Sequence, residues 1–251
     1  MRAFTMLFLS HILADYYFQP QWLAERKARS IGWVLLHAAI YAATLGASLL
    51  LLGGGYIWAV VISAVTHCII DVIKQVILNS KAKSGVLTIK GERAAFCIDQ
   101  LLHIGIISVA SIWVTSQYEL TVPSFMGITN SIIGIDAYML LSYAAIVLSV
   151  LKPTNVFVKR MLVTQKPTDN EKLEEQKRAG AYIGSLERVL SVILLALGQY
   201  AAIAIVFTAK SIARFRQLEN REFAEYYLFG TLLSVVTACM VYGLVKLLGA
   251  V

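Results

Sequence analysis

Residues 57–78 read IWAVVISAVTHCIIDVIKQVIL. The run is long enough to cross a bilayer, because a spanning helix needs about 20 mainly apolar residues. His67, Asp71, Lys74 and Gln75 interrupt it at helical spacing and therefore fall on one face. Charged side chains are costly at the centre of a membrane. The stretch therefore predicts a transmembrane helix whose polar face is turned towards other protein.

The composition of the whole chain agrees with that stretch. Its 251 residues are 58% apolar and 15% charged, with a mean hydropathy of +0.70, whereas soluble proteins carry about 25% charged residues. An ordinary cytosolic enzyme, a disordered protein and a nucleic-acid-binding domain are thereby excluded. The net charge of +7 comes largely from basic residues in short loops, as the positive-inside rule predicts. Membrane lipid is therefore the expected partner, and nucleic acid is not.

The apolar segments predict an all-α fold, a polytopic transmembrane helix bundle with about seven membrane segments. The segments run over residues 3–19, 32–52, 57–78, 95–115, 132–151, 185–208 and 226–249. Four parts follow from them: a four-helix half at 1–115, an outer loop and fifth helix at 116–151, a charged cytoplasmic loop at 152–181, and C-terminal helices at 182–251.

The basic loops predict an orientation. Loops 20–31, 79–94 and 152–181 face the cytoplasm, which puts the N-terminus outside and the C-terminus inside. The stretch with Lys210, Arg214 and Arg216 disagrees, because alternation places it outside. Either the sixth segment is re-entrant, or this basic stretch serves another purpose, such as contact with anionic lipid head groups.

All four histidines lie in the first four apolar segments, and three of them are one helical turn from an acid. The pattern Ser10-His11-x-x-x-Asp15-x-x-x-Gln19 recurs as Thr66-His67-x-x-x-Asp71-x-x-x-Gln75, and a later segment carries Asp99-Gln100-x-x-His103. The repeat predicts a duplicated helical hairpin, with segments one and two forming one copy and segments three and four the other.

Imidazoles and carboxylates at this density suit a divalent metal, with zinc, manganese or iron as candidates. The predicted ligands are His11, His67, Asp71, Asp99 and His103. Asp15 is predicted as a general base, and Lys74 as the group that stabilises an anion. Supporting roles are predicted for His37, Gln19, Gln75, Gln100 and Glu187.

These residues fit more than one function. The first hypothesis is a metal-dependent hydrolase of a lipid or lipid-linked substrate near the cytoplasmic side. The second is a transporter or channel that uses the same residues for cation binding or proton relay, since internal repeats are common in transporters. The third is a non-catalytic membrane subunit that docks a cytoplasmic protein through loop 152–180. A purely structural hydrogen-bond network is a further alternative for the His/Asp residues.

Read together, the motifs resemble a bacterial membrane family known as domain of unknown function 3307. The resemblance is carried by the two repeated motifs above, with Leu9 before the first and Lys74 within the second, and by His37 and Asp99-Gln100-x-x-His103. In the second half it is carried by Gly180-x-x-Ile183-Gly184-x-Leu186-Glu187-Arg188, by residues 210–215 and by Glu225-Tyr226-x-x-x-Gly230-Thr231. It implies a multi-pass protein of a bacterial inner membrane. The His/Asp set is also loosely similar to inner-membrane metal-dependent hydrolases.

Overall fold

All the regular secondary structure in the computed structural model is helical over the residues it describes, which are 2–119, 131, 132, 134, 136–163 and 172–249. The all-α prediction is therefore confirmed. The helices are α1 (Arg2–Ile12), α2 (Gln21–Lys27), α3 (Ile31–Leu52), α4 (Ile57–Lys83), α5 (Ile89–Gln117), α6 (Ala137–Leu162), α7 (Lys172–Ala196), α8 (Tyr200–Ala213) and α9 (Arg221–Leu248).

Five of these helices, α3, α4, α5, α6 and α9, are long and apolar enough to cross a membrane. Their most apolar windows have mean hydropathies between 1.5 and 2.0. The predicted membrane class is confirmed, whereas the predicted count of seven segments, the type of membrane and the orientation of the termini stay predictions. Much of the outer loop at 116–131, and residues 164–171 of the charged loop, lie outside the described residues.

The structure divides the predicted sixth segment, residues 185–208, between two helices, because the chain breaks between α7 and α8. Whether this segment is re-entrant stays a prediction. Gly198 has a φ of +69°, a left-handed conformation that favours glycine. The Gly198 and Gln199 amides donate to the Leu195 and Leu194 carbonyls, the closure that commonly ends a helix before such a glycine. The 14 residues of α8 extend about 21 Å, which is less than the ~30 Å hydrocarbon core.

The chain forms two compact units, Met1–Ala145 with Val245–Val251, and Ile146–Leu244. In the first unit α1 packs against α3 and α5, and α4 packs against the same two helices. If α1 is exchanged with α4 and α3 with α5, the packed pair α1–α3 corresponds to α4–α5, and the pair α1–α5 corresponds to α4–α3. This arrangement is what a duplicated hairpin would produce, while the predicted four-part division of the chain stays a prediction.

A buried arginine joins three helices of the second unit. Arg188 on α7 is 4% exposed. Its Nε donates to the Val150 carbonyl at 2.6 Å, and its terminal nitrogens donate to Asn155 Oδ1 at 2.6 Å, to Ser234 Oγ at 2.9 Å and to Ser185 Oγ at 3.0 Å. Since these acceptors lie on α6, α7 and α9, one side chain holds the three helices together.

The arginine also satisfies a proline-containing turn of α6. Pro153 lies inside this helix and cannot donate a backbone hydrogen bond, which frees carbonyls in the preceding turn. The Thr154 hydroxyl donates to the Ser149 carbonyl at 2.9 Å, and Arg188 donates to the carbonyl of Val150. Polar side chains thus satisfy backbone groups next to the proline, as apolar surroundings require.

We predict that Gly198→Ala destabilises the second unit by about 1 kcal/mol, because alanine is strained in the left-handed conformation. Gly243→Ala is the matched control, since Gly243 lies within α9 and an added Cβ there meets nothing within 4 Å. The control should leave stability unchanged or raise it. Thermal unfolding in detergent measures both, and equal effects would contradict the interpretation.

We predict that Arg188→Gln lowers the free energy of unfolding by about 2–4 kcal/mol, because several buried acceptors lose their donor. Ser234→Ala removes one of the four hydrogen bonds and should cost about 1 kcal/mol. Unfolding titrations in mixed micelles compare the two variants. If Arg188→Gln were no less stable than Ser234→Ala, Arg188 would not be the tie between the helices.

Candidate metal centre

The site is built around a carboxylate at the end of α1. Helix α1 continues into a π-helical turn at Leu13–Tyr17, and such turns are frequent at functional sites. Asp15 lies in this turn, and its side chain is 10% exposed. Its Oδ1 accepts hydrogen bonds from His37 Nε2 at 3.0 Å and His67 Nε2 at 2.9 Å. One oxygen therefore joins α1 to both α3 and α4.

The other imidazoles pack beside this pair. The His67 ring lies between the Tyr41 ring, at a centroid distance of 3.6 Å, and the His103 ring, at 4.2 Å. His11 Nδ1 is 3.1 Å from the Tyr41 hydroxyl and 3.9 Å from Asp15 Oδ2. All four histidines are at most 3% exposed. The structure thus brings every histidine of the chain into one buried group.

Several nitrogens of these rings have no hydrogen-bond partner among the described residues. They are Nε2 of His11, Nδ1 of His37, Nδ1 of His67 and both ring nitrogens of His103. A buried polar atom without a partner costs about 1–3 kcal/mol. Imidazole nitrogen is also a good donor to zinc and iron. The unpartnered nitrogens are therefore what a cation-binding cluster would offer.

Three groups of side chains could hold a metal ion. They are His11 with Asp15, His67 and His103; His37 with His67 and Asp71; and Asp71 with Asp99 and His103. Within each group the ligand atoms lie within 4.8 Å of one another. Zinc bonds of ~2.0–2.1 Å in a tetrahedral site separate ligand atoms by about 3.3 Å. Small side-chain shifts would bring the atoms of each group to that spacing.

Two lysines neutralise the remaining carboxylates of the cluster. Asp71 lies 2.5 Å from Lys27 Nζ through Oδ2 and 2.8 Å from Lys74 Nζ through Oδ1. Lys74 Nζ is also 2.8 Å from Asp99 Oδ1. Asp71 Oδ2 lies 3.7 Å from His37 Nε2, so the group formed by Asp71, Asp99 and the two lysines lies next to the histidines. The cluster is therefore divided into an imidazole half around Asp15 and an ammonium half around Asp71.

The predicted glutamines have different surroundings. Gln100 donates to Asp99 Oδ2 at 3.1 Å and accepts from the Tyr16 hydroxyl at 2.8 Å, so it contacts the cluster directly. Gln75 is buried, but it donates to the Ala28 carbonyl and to Asn79. Gln19 makes no side-chain hydrogen bond within the described part of the chain. The supporting roles of Gln75 and Gln19 stay predictions.

The remaining predicted residues belong to the second unit. Glu187 Oε2 pairs with Lys210 Nζ at 2.5 Å, and Glu187 is in none of the three metal-capable groups. Lys210 and Arg214 lie 5.3 Å and 5.9 Å from the centre of the Tyr227 ring, while Arg216 is exposed. Contact of these basic residues with lipid head groups stays a prediction, and Lys210 already has an acidic partner.

Sequence reasoning placed each His/Asp pair on one face but did not find the shortest contacts. The nearest nitrogen and oxygen atoms of His11 and Asp15 are 3.9 Å apart, and those of His67 and Asp71 are also 3.9 Å apart. The shortest contacts between histidines and acids instead run between helices, from His37 and His67 to Asp15. Two neighbours were missed: Tyr41 and Lys27.

A sequence signal existed for only one of these neighbours. Tyr41 follows His37 by four residues, which is the spacing that identified the other pairs. Lys27 has no such signal, because it is one of three basic residues in the loop at 20–31. It reaches Asp71 because the short helix α2 packs on α3.

Comparison with known proteins gives one match. The sequence model of the family described as "Protein of unknown function (DUF3307)" matches residues 3–129, just over half the chain. The matched region contains every histidine and every acid of the cluster. No curated protein and no solved structure matches the chain, so the likeness to metal-dependent hydrolases has no support from relatives. The chain belongs to the DUF3307 family of proteins of unknown function.

Proposed function

We propose that this membrane protein binds a divalent metal ion in the His/Asp cluster and uses it to hydrolyse a lipid or lipid-linked substrate. The observation that carries the proposal is the set of buried imidazole nitrogens around Asp15 that have no hydrogen-bond partner in the described part of the chain. A purely structural network would be expected to satisfy these atoms, since buried polar groups are nearly always hydrogen-bonded. Metal ligation by His11, His67 and His103 would satisfy one such nitrogen on each of these three rings, and the ion would stabilise a negatively charged cluster.

The ligands we propose are the three imidazoles of the largest group, His11, His67 and His103. Three histidines leave a fourth position for water in a catalytic zinc site. Zinc is therefore the first candidate ion, with manganese and iron as the others. Asp71 and Asp99 are less suited to ligation than predicted, because lysine ammonium groups already contact their oxygens.

The chemistry follows from the groups beside these imidazoles. A divalent ion held by His11, His67 and His103 would supply a nucleophile from water near neutral pH and would polarise a substrate oxygen. Asp15, the carboxylate of the same group, accepts the proton of the attacking water. The ester or phosphoester bond to the leaving oxygen breaks, and that oxygen takes up the proton that Asp15 accepted from the water. Lys74, held by two carboxylates, stabilises the negative charge that develops in the transition state.

Metal content is the first test. We predict that purified wild-type protein holds about one zinc, manganese or iron ion per chain, as a three-histidine site requires, and that His67→Ala and His103→Ala lose it. Elemental analysis of samples checked for folding by circular dichroism measures this. Cys97→Ser on α5 is the control and should retain the ion. An empty wild-type protein would overturn the proposal.

The same measurement separates the ligand groups. Asp99→Ala should retain the ion if the imidazole group holds it. Loss of the ion from Asp99→Ala, with retention in His11→Ala, would assign it to the group of Asp71, Asp99 and His103 instead.

Hydrolysis is the second test. Metal-loaded protein in lipid nanodiscs should release product from an ester or phosphoester lipid, and a chelator should stop it. Asp15→Asn should lower kcat by about 10²–10⁴-fold, the usual contribution of a general base, while Cys97→Ser stays active. Product release is followed by mass spectrometry. Turnover that persists in the chelated protein would contradict the proposal.

One observation favours the transport hypothesis. The first unit has the packing of an internal repeat, in which α1 corresponds to α4 and α3 corresponds to α5. Repeats of this kind are common in transporters. Proteoliposomes distinguish the two functions. Movement of the bound metal into the vesicles, without lipid hydrolysis, would support transport and exclude the hydrolase.

A further inference from the structure

We infer that the substrate group bound at this site is a singly charged phosphodiester of a lipid, and that Lys27 and Lys74 bind it. The inference rests on the proposed function and names its substrate class. It comes from four features of the described residues: the charge of the cluster, the difference in exposure across it, the unused donors of the two lysines, and the exposed apolar residues near Lys74 and Asp99.

The charge of the cluster sets the charge of its ligand. The cluster contains three acids, Asp15, Asp71 and Asp99, and two bases, Lys27 and Lys74. The side chains of all five are less than a quarter exposed. With neutral imidazoles, as metal ligation requires, the formal charge is minus one. One divalent ion changes it to plus one. A buried net charge is costly, so the metal-loaded cluster favours a ligand with a single negative charge.

Exposure shows which groups such a ligand meets first. The histidines and Asp71 are almost fully buried. The side chains of Lys74 and Lys27 are 23% and 13% exposed. The two lysine side chains are therefore the least buried charged groups of the cluster, and an approaching anion meets them before it reaches the imidazoles.

Each ammonium group also has donors to spare. A lysine has three N–H donors. Lys74 contacts two oxygens, one on Asp71 and one on Asp99, and Lys27 contacts one oxygen of Asp71. The remaining N–H groups can donate to two oxygens of one tetrahedral anion. A phosphodiester fits, because it offers two unesterified oxygens that share a single charge.

The surroundings of Lys74 favour a lipid over a free phosphate compound. Ile73 and Ile77 on α4 and Ile98 and Leu102 on α5 are exposed large apolar residues. They flank Lys74 and its partner Asp99 along the two helices. Exposed apolar side chains are therefore present next to these charged residues and one helical turn from them on both helices, as the binding of an acyl-chain lipid requires.

The experiment measures binding of short-chain phosphatidylglycerol to the full-length protein in a neutral detergent by calorimetry. We expect affinity to fall at least about tenfold when the metal is removed, and by a similar factor in Lys27→Met and Lys74→Met, because each loses a charge-assisted contact. Lys81→Met is the matched control, since Lys81 is an exposed lysine of the same helix α4, and it should bind like the wild type.

A conservative variant covers the case in which Lys74→Met does not fold. Lys74→Arg keeps the positive charge and should bind the lipid within about threefold of the wild type. Equal affinity of Lys27→Met, Lys74→Met and Lys81→Met would overturn the inference. Equal affinity for uncharged diacylglycerol would also overturn it, and inorganic phosphate bound as tightly as the lipid would overturn its lipid part.

Metal content is measured on every sample, so that the two proposals fail separately. A wild-type protein without metal removes the proposed function. A protein that holds the metal and hydrolyses an uncharged ester, yet binds phosphatidylglycerol no better than its lysine variants do, removes only the inference about the phosphodiester.

Discussion

The arrangement of the first unit depends on a single carboxylate oxygen. Asp15 Oδ1 accepts hydrogen bonds from His37 and His67, which lie on two other helices. In apolar surroundings an ionised carboxylate is very costly without such partners. The helices must therefore pack so that both imidazoles reach it, and this requirement brings Tyr41 and His103 into the same stack.

The two copies of the repeated motif have diverged around this oxygen. Asp15 and Asp71 correspond in the motif, yet imidazoles bind the first and ammonium groups bind the second. Part of the reason is local. A π turn carries Asp15, whereas Asp71 lies in a regular α-helix, and only the first hairpin contains a short helix, α2, that delivers a lysine. A duplicated scaffold has thus produced two chemically different halves of one cluster.

The sequence predicted most of the residues that form the cluster, but few of the hydrogen bonds and ion pairs between them. Helical spacing put His67 and Asp71 on one face, and the cost of charge in a membrane required that face to be turned inward. Nothing along the chain could show that Asp15 would bind His67, 52 residues away. Arg188 is a similar case, because its four acceptors come from three helices. The predicted sixth segment is divided at Gly198, where the chain has a positive φ and leaves the helix although the flanking residues are apolar.

The sequence by itself determined the class of the protein, the faces of its helices and the residues that must avoid lipid, since hydropathy and helical period are properties of the chain. Only the tertiary structure decided which acid is bound by imidazoles and which by lysines, and which ring nitrogens have no hydrogen-bond partner among the residues that the structure describes. The physical reason is that hydrogen bonds and ion pairs act over about 3 Å. Contacts this short between residues far apart in the chain depend on how the helices pack.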